Sequence, residues 1–180
     1  MATAPNMFCS YCGTGFGEVR GYPRRCVRCG AETWANPIPV AVALVPIVVD
    51  GETGLLVVRR AIPPVGKLAL VGGFVEDHEP WQACAARELR EEANVVVDAA
   101  SLQPLWFSST EPKPNRVLLF VCAPPIDAAA LPPFQPNSEA SERAVVFGPG
   151  DPADTLAFPL HAEAARRYFG RSGPLRARVL

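Results

Sequence analysis

The stretch that most restricts how this chain can fold runs from Gly72-Gly73 through Glu79 to Arg87-Glu88-Leu89-Arg90-Glu91-Glu92-Ala93-Asn94-Val95. Six of the eighteen acidic residues fall between Glu76 and Glu92, so the acid is concentrated in a chain whose net charge is only −1. A glycine pair followed by Pro80, a residue favoured at the first helical position because its missing N–H costs nothing there, predicts a loop that turns into a helix. On that helix Glu88 and Glu92 are four apart and share a face, with Glu91 beside them. Like charges so placed repel one another and weaken the helix unless a cation sits among them. The pattern therefore predicts a cation site built on one helix rather than a solvated acidic surface.

A second constraint lies at the N-terminal end. Cys9-Ser-Tyr-Cys12-Gly13 and Cys26-Val-Arg-Cys29-Gly30 are two knuckles separated by thirteen residues. That spacing brings four thiolates around one tetrahedral Zn²⁺. Two disulfides are the alternative, but Met1 to Phe8 lacks a charged-then-apolar leader pattern, so a cytoplasmic chain with reduced thiols is expected. The longest apolar run, Val40 to Val49, is ten residues with Pro46 inside, too short to span a membrane. With few apolar residues between Phe8 and Thr33, this segment depends on its metal to fold. Arg20, Arg24, Arg25 and Arg28 make it locally basic, yet a closed four-cysteine site is normally structural. The remaining cysteines, Cys84 and Cys122, read as core packing.

Between these features the chain punctuates itself. Asn36-Pro-Ile-Pro39 reads as a linker, which sets a small module at 1–35 against a larger domain at 36–180. Val40 to Val49 is expected as one buried strand and Gly54 to Arg60 as the next, with a turn at Asp50-Gly51. Strands are expected again at Leu105 to Ser109, Arg116 to Ala123 and Arg143 to Phe147. Glu111 to Pro114 and Pro124 to Pro136 read as loops. Pro159 to Phe169 has the spacing of an amphipathic helix. The near-zero net charge argues against broad attraction to nucleic acid or an anionic membrane.

The acidic stretch resembles the Nudix box, Gly-x5-Glu-x7-Arg-Glu-hydrophobic-x-Glu-Glu-x-Gly-hydrophobic, with Asn94 at the position the family gives to glycine. After a helix that position takes positive φ, which asparagine tolerates better than other non-glycine residues. Val71 likewise stands where a proline is common. The resemblance implies an α/β fold, the α/β/α sandwich, carrying here a small four-cysteine zinc ribbon. It implies hydrolysis of a nucleoside diphosphate linked to another group. The ribbon beside the box is similar to the NADH pyrophosphatases, and the Phe8 start, Asn36-Pro37 and the chain length are closer to the smaller ribbon-bearing group that includes plant FAD pyrophosphatases. The NADH-type motif after the box is only echoed by Ser101-Leu-Gln-Pro-Leu-Trp-Phe107, a departure that counts against NADH within a candidate class of FAD, NADH and ADP-ribose.

The same resemblance implies roles. Glu88 and Glu92 would be direct ligands of Mg²⁺ or Mn²⁺, Glu91 a further ligand or a group orienting water, and the Gly72 carbonyl a backbone ligand. Arg87 would pair with Glu79 or Glu91 to brace the box. The general base often comes in relatives from a distal loop rather than from the box, and there Glu139 and Glu142 are the candidates. Arg59, Arg60 and Arg116 could bind phosphate and Phe74 or Trp106 could stack on a base, while Glu76, Asp77 and His78 read as loop residues. The partner expected is a nucleotide, and a homodimer is usual among relatives. Two other readings stand beside hydrolysis of a dinucleotide: a nucleotide-sensing or RNA-binding module that cleaves nothing, and sanitation of nucleoside triphosphates.

Overall fold

The computed structural model describes residues 6–18, 21–111, 115–148, 156–170 and 176–180. Arg20 and Pro112 to Pro114, named above, lie outside these. The chain divides into two compact units, Met1–Pro37 and Ile38–Leu180.

In the first unit the two knuckles are built alike. The N–H of Gly13 donates to the Cys9 carbonyl and that of Gly30 to the Cys26 carbonyl, both at 2.9 Å. Both glycines have positive φ, +71° and +74°, the left-handed region that glycine enters freely. A short hairpin, β1 (Arg24–Arg25) and β2 (Glu32–Thr33), pairs Arg24 with Thr33. Arg24 is occupied structurally: its guanidinium donates to the Asn6 and Gly21 carbonyls at 2.7 and 3.1 Å and lies 4.5 Å from the Tyr22 ring centre.

The second unit opens with β3 (Ile38–Leu44), β4 (Pro46–Val49) and β5 (Glu52–Arg60). The single strand expected over Val40 to Val49 is therefore two, and they belong to different sheets. The break falls at Val45, just before Pro46, which has no N–H for a ladder and is tolerated as the first residue of a strand. Ile38 and Pro39, expected in a linker, already pair with Arg116 and Val117. Asp50 and Gly51, at φ +52° and +81°, make the turn that their sequence predicts.

β6 (Leu68–Ala69) and β7 (Val71–Phe74) lead into α1 (Trp81–Ala93), for which Pro80 serves as N-cap rather than as first helical residue. β8 (Gln103–Ser109), β9 (Arg116–Cys122), β10 (Ile126–Asp127) and β11 (Ala140–Phe147) follow, then α2 (Pro159–Phe169) and β12 (Arg176–Val179). β10 lies inside the expected Pro124 to Pro136 loop, pairing in parallel with β4. One sheet has the order β7-β3-β9-β8; the other runs β10-β4-β5-β11-β12, with β6 also on β5.

Side-chain alternation explains why the central strands are apolar throughout. Ala41 and Ala43 of β3 and Leu56 and Val58 of β5 join Cys84, Ala85, Leu89 and Ala93 of α1 in one core. Their neighbours Val42, Leu44, Leu55 and Val57 join Ala164 and Ala165 of α2 in the other. Strands covered on both faces show no polar alternation. The result is the α/β/α sandwich, with one helix on each side.

Candidate active site

The N-terminal end of the acidic helix is braced by one arginine. Arg87 grips Glu79 with two donors, Nε at 2.9 Å and Nη2 at 3.0 Å, and its Nη1 reaches Glu88 at 2.7 Å and Glu91 at 3.3 Å. Nη2 also donates to the Phe74 carbonyl at 3.1 Å, tying β7 to the helix. This bidentate pairing holds the Glu79 carboxyl down at about 2. Both partners expected for Arg87 are present together. Glu91 is half exposed and also meets Arg90 at 3.5 Å.

Glu88 and Glu92 face inward. Glu88 packs so closely on Gly73 that a Cβ there would collide with its carboxylate, and a Cβ at Gly72 would collide with the Ala41 backbone. Burial raises the Glu88 carboxyl despite Arg87. Glu92 is pushed up to about 8, first by burial, then by the charges of Glu88 and Glu139, against a hydrogen bond with the Gly72 backbone that favours its ionised form. Glu88 and Glu92, both raised by burial and by neighbouring carboxylate charge, with Glu139 beside them, make a site short of positive charge. That donor set, all oxygen, suits a hard divalent cation such as Mg²⁺.

Of the two base candidates, Glu139 lines the cleft beside these groups. Glu142 is bonded to the Arg59 Nε on the neighbouring strand, and Arg59 also donates to the Gly66 carbonyl at 3.0 Å. Neither Arg59 nor Glu142 lines the cleft.

The cleft measures about 1030 Å³, and its lining includes Glu88, Glu92, Glu139, Glu111, Phe158 and His161. On its walls Arg116 lies 5.0 Å from the Phe74 ring centre and Arg60 lies 4.9 Å from that of Phe158. The Nε atoms of both arginines are buried without a hydrogen-bond partner among the described residues. Glu76, expected as a solvated acid, is exposed yet lines the cleft, whereas Asp77 and His78 point outward, paired with each other at 3.4 Å.

His161, one of two histidines in the chain, has no role in the sequence-based expectations. It is buried in α2, its Nδ1 accepts the Leu70 N–H at 3.2 Å, and rings of Phe120 and Phe158 meet it edge-on at 6.0 and 4.9 Å. Burial lowers it to about 3, with the Arg60 charge adding to the effect. The imidazole is thus neutral, with Nε2 carrying the proton in a residue that lines the cleft. The available signal was spacing: position 161 shares a helix face with Ala164 and Ala165.

In the first unit, Cys9, Cys12, Cys26 and Cys29 put their sulfurs within 4.8 Å of one another, with Cys9–Cys29 at 3.7 Å and Cys12–Cys26 at 3.6 Å. A disulfide needs about 2.05 Å. Tetrahedral coordination with bonds of about 2.3 Å separates sulfurs by about 3.8 Å. Hydrogen bonding with Thr14 leads in lowering the Cys12 thiol to about 6, which favours the thiolate a metal takes.

A model of the NUDIX domain matches residues 37–168. The NAD-capped RNA hydrolase NudC of Deinococcus radiodurans is 31% identical over 117 residues, 63% of this chain and 40% of that protein. The protein of the same description from Mycobacterium tuberculosis is 33% identical over 91 residues, 46% of this chain and 28% of that one. The matched part thus spans two fifths or less of these relatives. A NUDIX hydrolase from Nitrosomonas europaea superposes with a TM-score of 0.62 at 24% identity, covering 93% of this chain and 95% of that one.

Proposed function

The chain belongs to the Nudix family, and on that premise we propose that it hydrolyses the pyrophosphate bond of a nucleoside diphosphate linked to another moiety, releasing two monophosphates. The observation that carries the reading is one cleft lined both by the neighbouring carboxylates Glu88, Glu92 and Glu139 and by two ring-stacked arginines, each with an unpaired buried Nε.

Glu88 and Glu92 would hold Mg²⁺ or Mn²⁺, with Glu91 and the Gly72 carbonyl as further candidates. When bound, the cation supplies charge neutralisation and Lewis acidity toward the phosphates. Arg87 keeps Glu88 in place through its bond to the carboxylate. Glu139, facing both inner glutamates, is suited to take the proton of the attacking water. Arg116 and Phe74, with Arg60 beyond, are suited to a phosphate and a planar ring. His161 offers a neutral N–H donor. Arg59 and Glu142 brace β5 against β11 in this reading and do not touch substrate.

The substrate class is a dinucleotide of the FAD, NADH or ADP-ribose type. The NudC relatives are described as NAD-capped RNA hydrolases, which favours the NAD half of that class and keeps capped RNA within the panel. Residues 1–35 would form a structural zinc ribbon and 36–180 the hydrolase domain. Reduced zinc-binding thiols suit the cytoplasm; no helix among the described residues is long and apolar enough to cross a membrane.

The test is hydrolysis by purified protein with Mg²⁺ against FAD, NADH, ADP-ribose, NAD-capped RNA and nucleoside triphosphates. Two monophosphate products from a dinucleotide are expected. Release of inorganic pyrophosphate from triphosphates alone would replace this reading with triphosphate sanitation, and no turnover by folded protein would end it. Glu92→Gln should abolish most activity while the fold persists.

A further inference from the structure

The last carbonyls of an α-helix have no partner within the helix. In α1 those of Glu91, Glu92 and Ala93 are taken by groups from one later stretch of chain. The Asn137 amide donates to the Glu91 and Glu92 carbonyls at 2.9 and 3.3 Å, and Arg143 Nη1 donates to the Ala93 carbonyl at 3.0 Å. Arg143 is 3% exposed, and its Nη2 reaches the Pro132 carbonyl at 2.7 Å. From the helix side, Asn94 Oδ1 accepts the Gln135 N–H at 2.9 Å. The segment then turns on Asn137, whose Oδ1 accepts the N–H groups of Glu139 and Ala140 at 2.9 and 2.8 Å. The loop bearing Glu139 is in this way sewn to the end of the helix bearing Glu88 and Glu92.

Asn94 is the departure from the family box. Its backbone sits at φ 55°, ψ 36°, a left-handed conformation that glycine adopts without cost. Backbone conformation therefore gives no reason to prefer asparagine. The side chain does something glycine could not: it accepts the hydrogen bond that begins the attachment of the loop.

We propose that Asn94 is a positioning residue that holds the loop of Glu139 against α1, setting the Glu139 carboxylate beside Glu88 and Glu92. The inference rests on the reading of Glu139 as the general base. It adds to the box position a function in catalysis that the helix turn alone does not require.

Asn94→Gly separates the two roles, because it keeps the left-handed turn and removes only the acceptor. With the full chain, Mg²⁺ and whichever dinucleotide the panel identifies, kcat should fall about tenfold, the scale expected when a reacting group is displaced by a fraction of an ångström. KM should stay within about twofold and Tm should change little, because glycine relieves the left-handed strain while the lost hydrogen bond costs a similar amount. Glu139→Gln alone should lower kcat by roughly 10²–10⁴-fold. In the Glu139→Gln background, assayed at high enzyme concentration, Asn94→Gly should have no further effect on kcat. An unchanged kcat in Asn94→Gly, a change in KM alone, or an equal loss in both backgrounds would overturn the role of Asn94 while leaving Glu139 as base. Wild-type kcat in Glu139→Gln would overturn the reading of Glu139, and the inference with it.

Discussion

His161 Nδ1 accepts the backbone N–H of Leu70 at 3.2 Å, joining α2 to the residue between β6 and β7. The bond needs a lone pair on Nδ1, so it exists only while the imidazole is neutral. Burial, with Arg60 nearby, holds the folded-state value at about 3 against an ordinary 6.5. Because the unfolded chain binds this proton more readily, the stabilisation is complete above about pH 6.5 and is lost as pH falls toward 3. The loss is on the order of a few kcal/mol. Thermal melts across this window should show Tm falling with acid. In His161→Asn, which cannot take up the proton, the fall should be clearly shallower; an equal slope in both proteins would remove His161 as the cause.

Gly73 and Gly72 make a contrasting pair. A Cβ on Gly73 meets the Glu88 carboxylate, a side-chain end held by Arg87, whereas a Cβ on Gly72 meets the backbone of Ala41 and Val42 in β3. Gly73→Ala should therefore fold and lose activity, on the order of 10²-fold, by displacing Glu88. Gly72→Ala should lose stability itself, because neither strand can yield. Soluble yield, Tm and kcat measured together distinguish the two, and equal behaviour of the variants would contradict the geometry.

The parts of this site that were legible beforehand are those with local rules. Helical spacing set Glu88 and Glu92 on one face, and the knuckle spacing grouped the four cysteines, since both depend only on residues a few positions apart. The strand break at Val45 was not legible: an apolar run covered on both faces looks the same whether it stays in one sheet or crosses to the next. Nor was the separation of Glu139 from Glu142. They lie three apart around an irregular register between Ala140 and Glu142, and which carboxylate faces the helix depends on pairing with β5. The Asn137 turn had a signal, an asparagine after Pro136 in a position to accept its own downstream N–H groups. Its donation to the α1 carbonyls, more than forty residues away, had none.

The four sulfurs predict a measurable stoichiometry. Their spacing of 3.7 Å between Cys9 and Cys29 and 3.6 Å between Cys12 and Cys26 is that of ligands around one cation, so purified protein should carry one zinc per chain. Mild treatment with a thiol-reactive mercurial should release it, read with a chromogenic chelator. Cys12→Ser should reduce the zinc content well below one equivalent, while Cys84→Ser, on the buried face of α1, should leave it unchanged. Full zinc in Cys12→Ser would contradict a site built from these four thiolates.

Arg116 and Phe74 stand on the two strands that flank β3: Arg116 pairs with Ile38 and Phe74 with Val40. The guanidinium lies 5.0 Å from the ring centre, so the ring orients the charge and the charge is desolvated on one side, which strengthens any bond it makes to a phosphate oxygen. Arg116→Ala removes that bond in the ground state and in the transition state alike. KM should accordingly rise about tenfold, the effect of losing one charge-assisted hydrogen bond, with kcat changed by less than about threefold. Phe74→Leu keeps the apolar volume and loses the ring, so it should raise KM by less. If Arg116→Ala instead lowers kcat with KM unchanged, the guanidinium acts on the charge that develops during bond cleavage, and its place belongs with the carboxylates rather than on the substrate-binding wall.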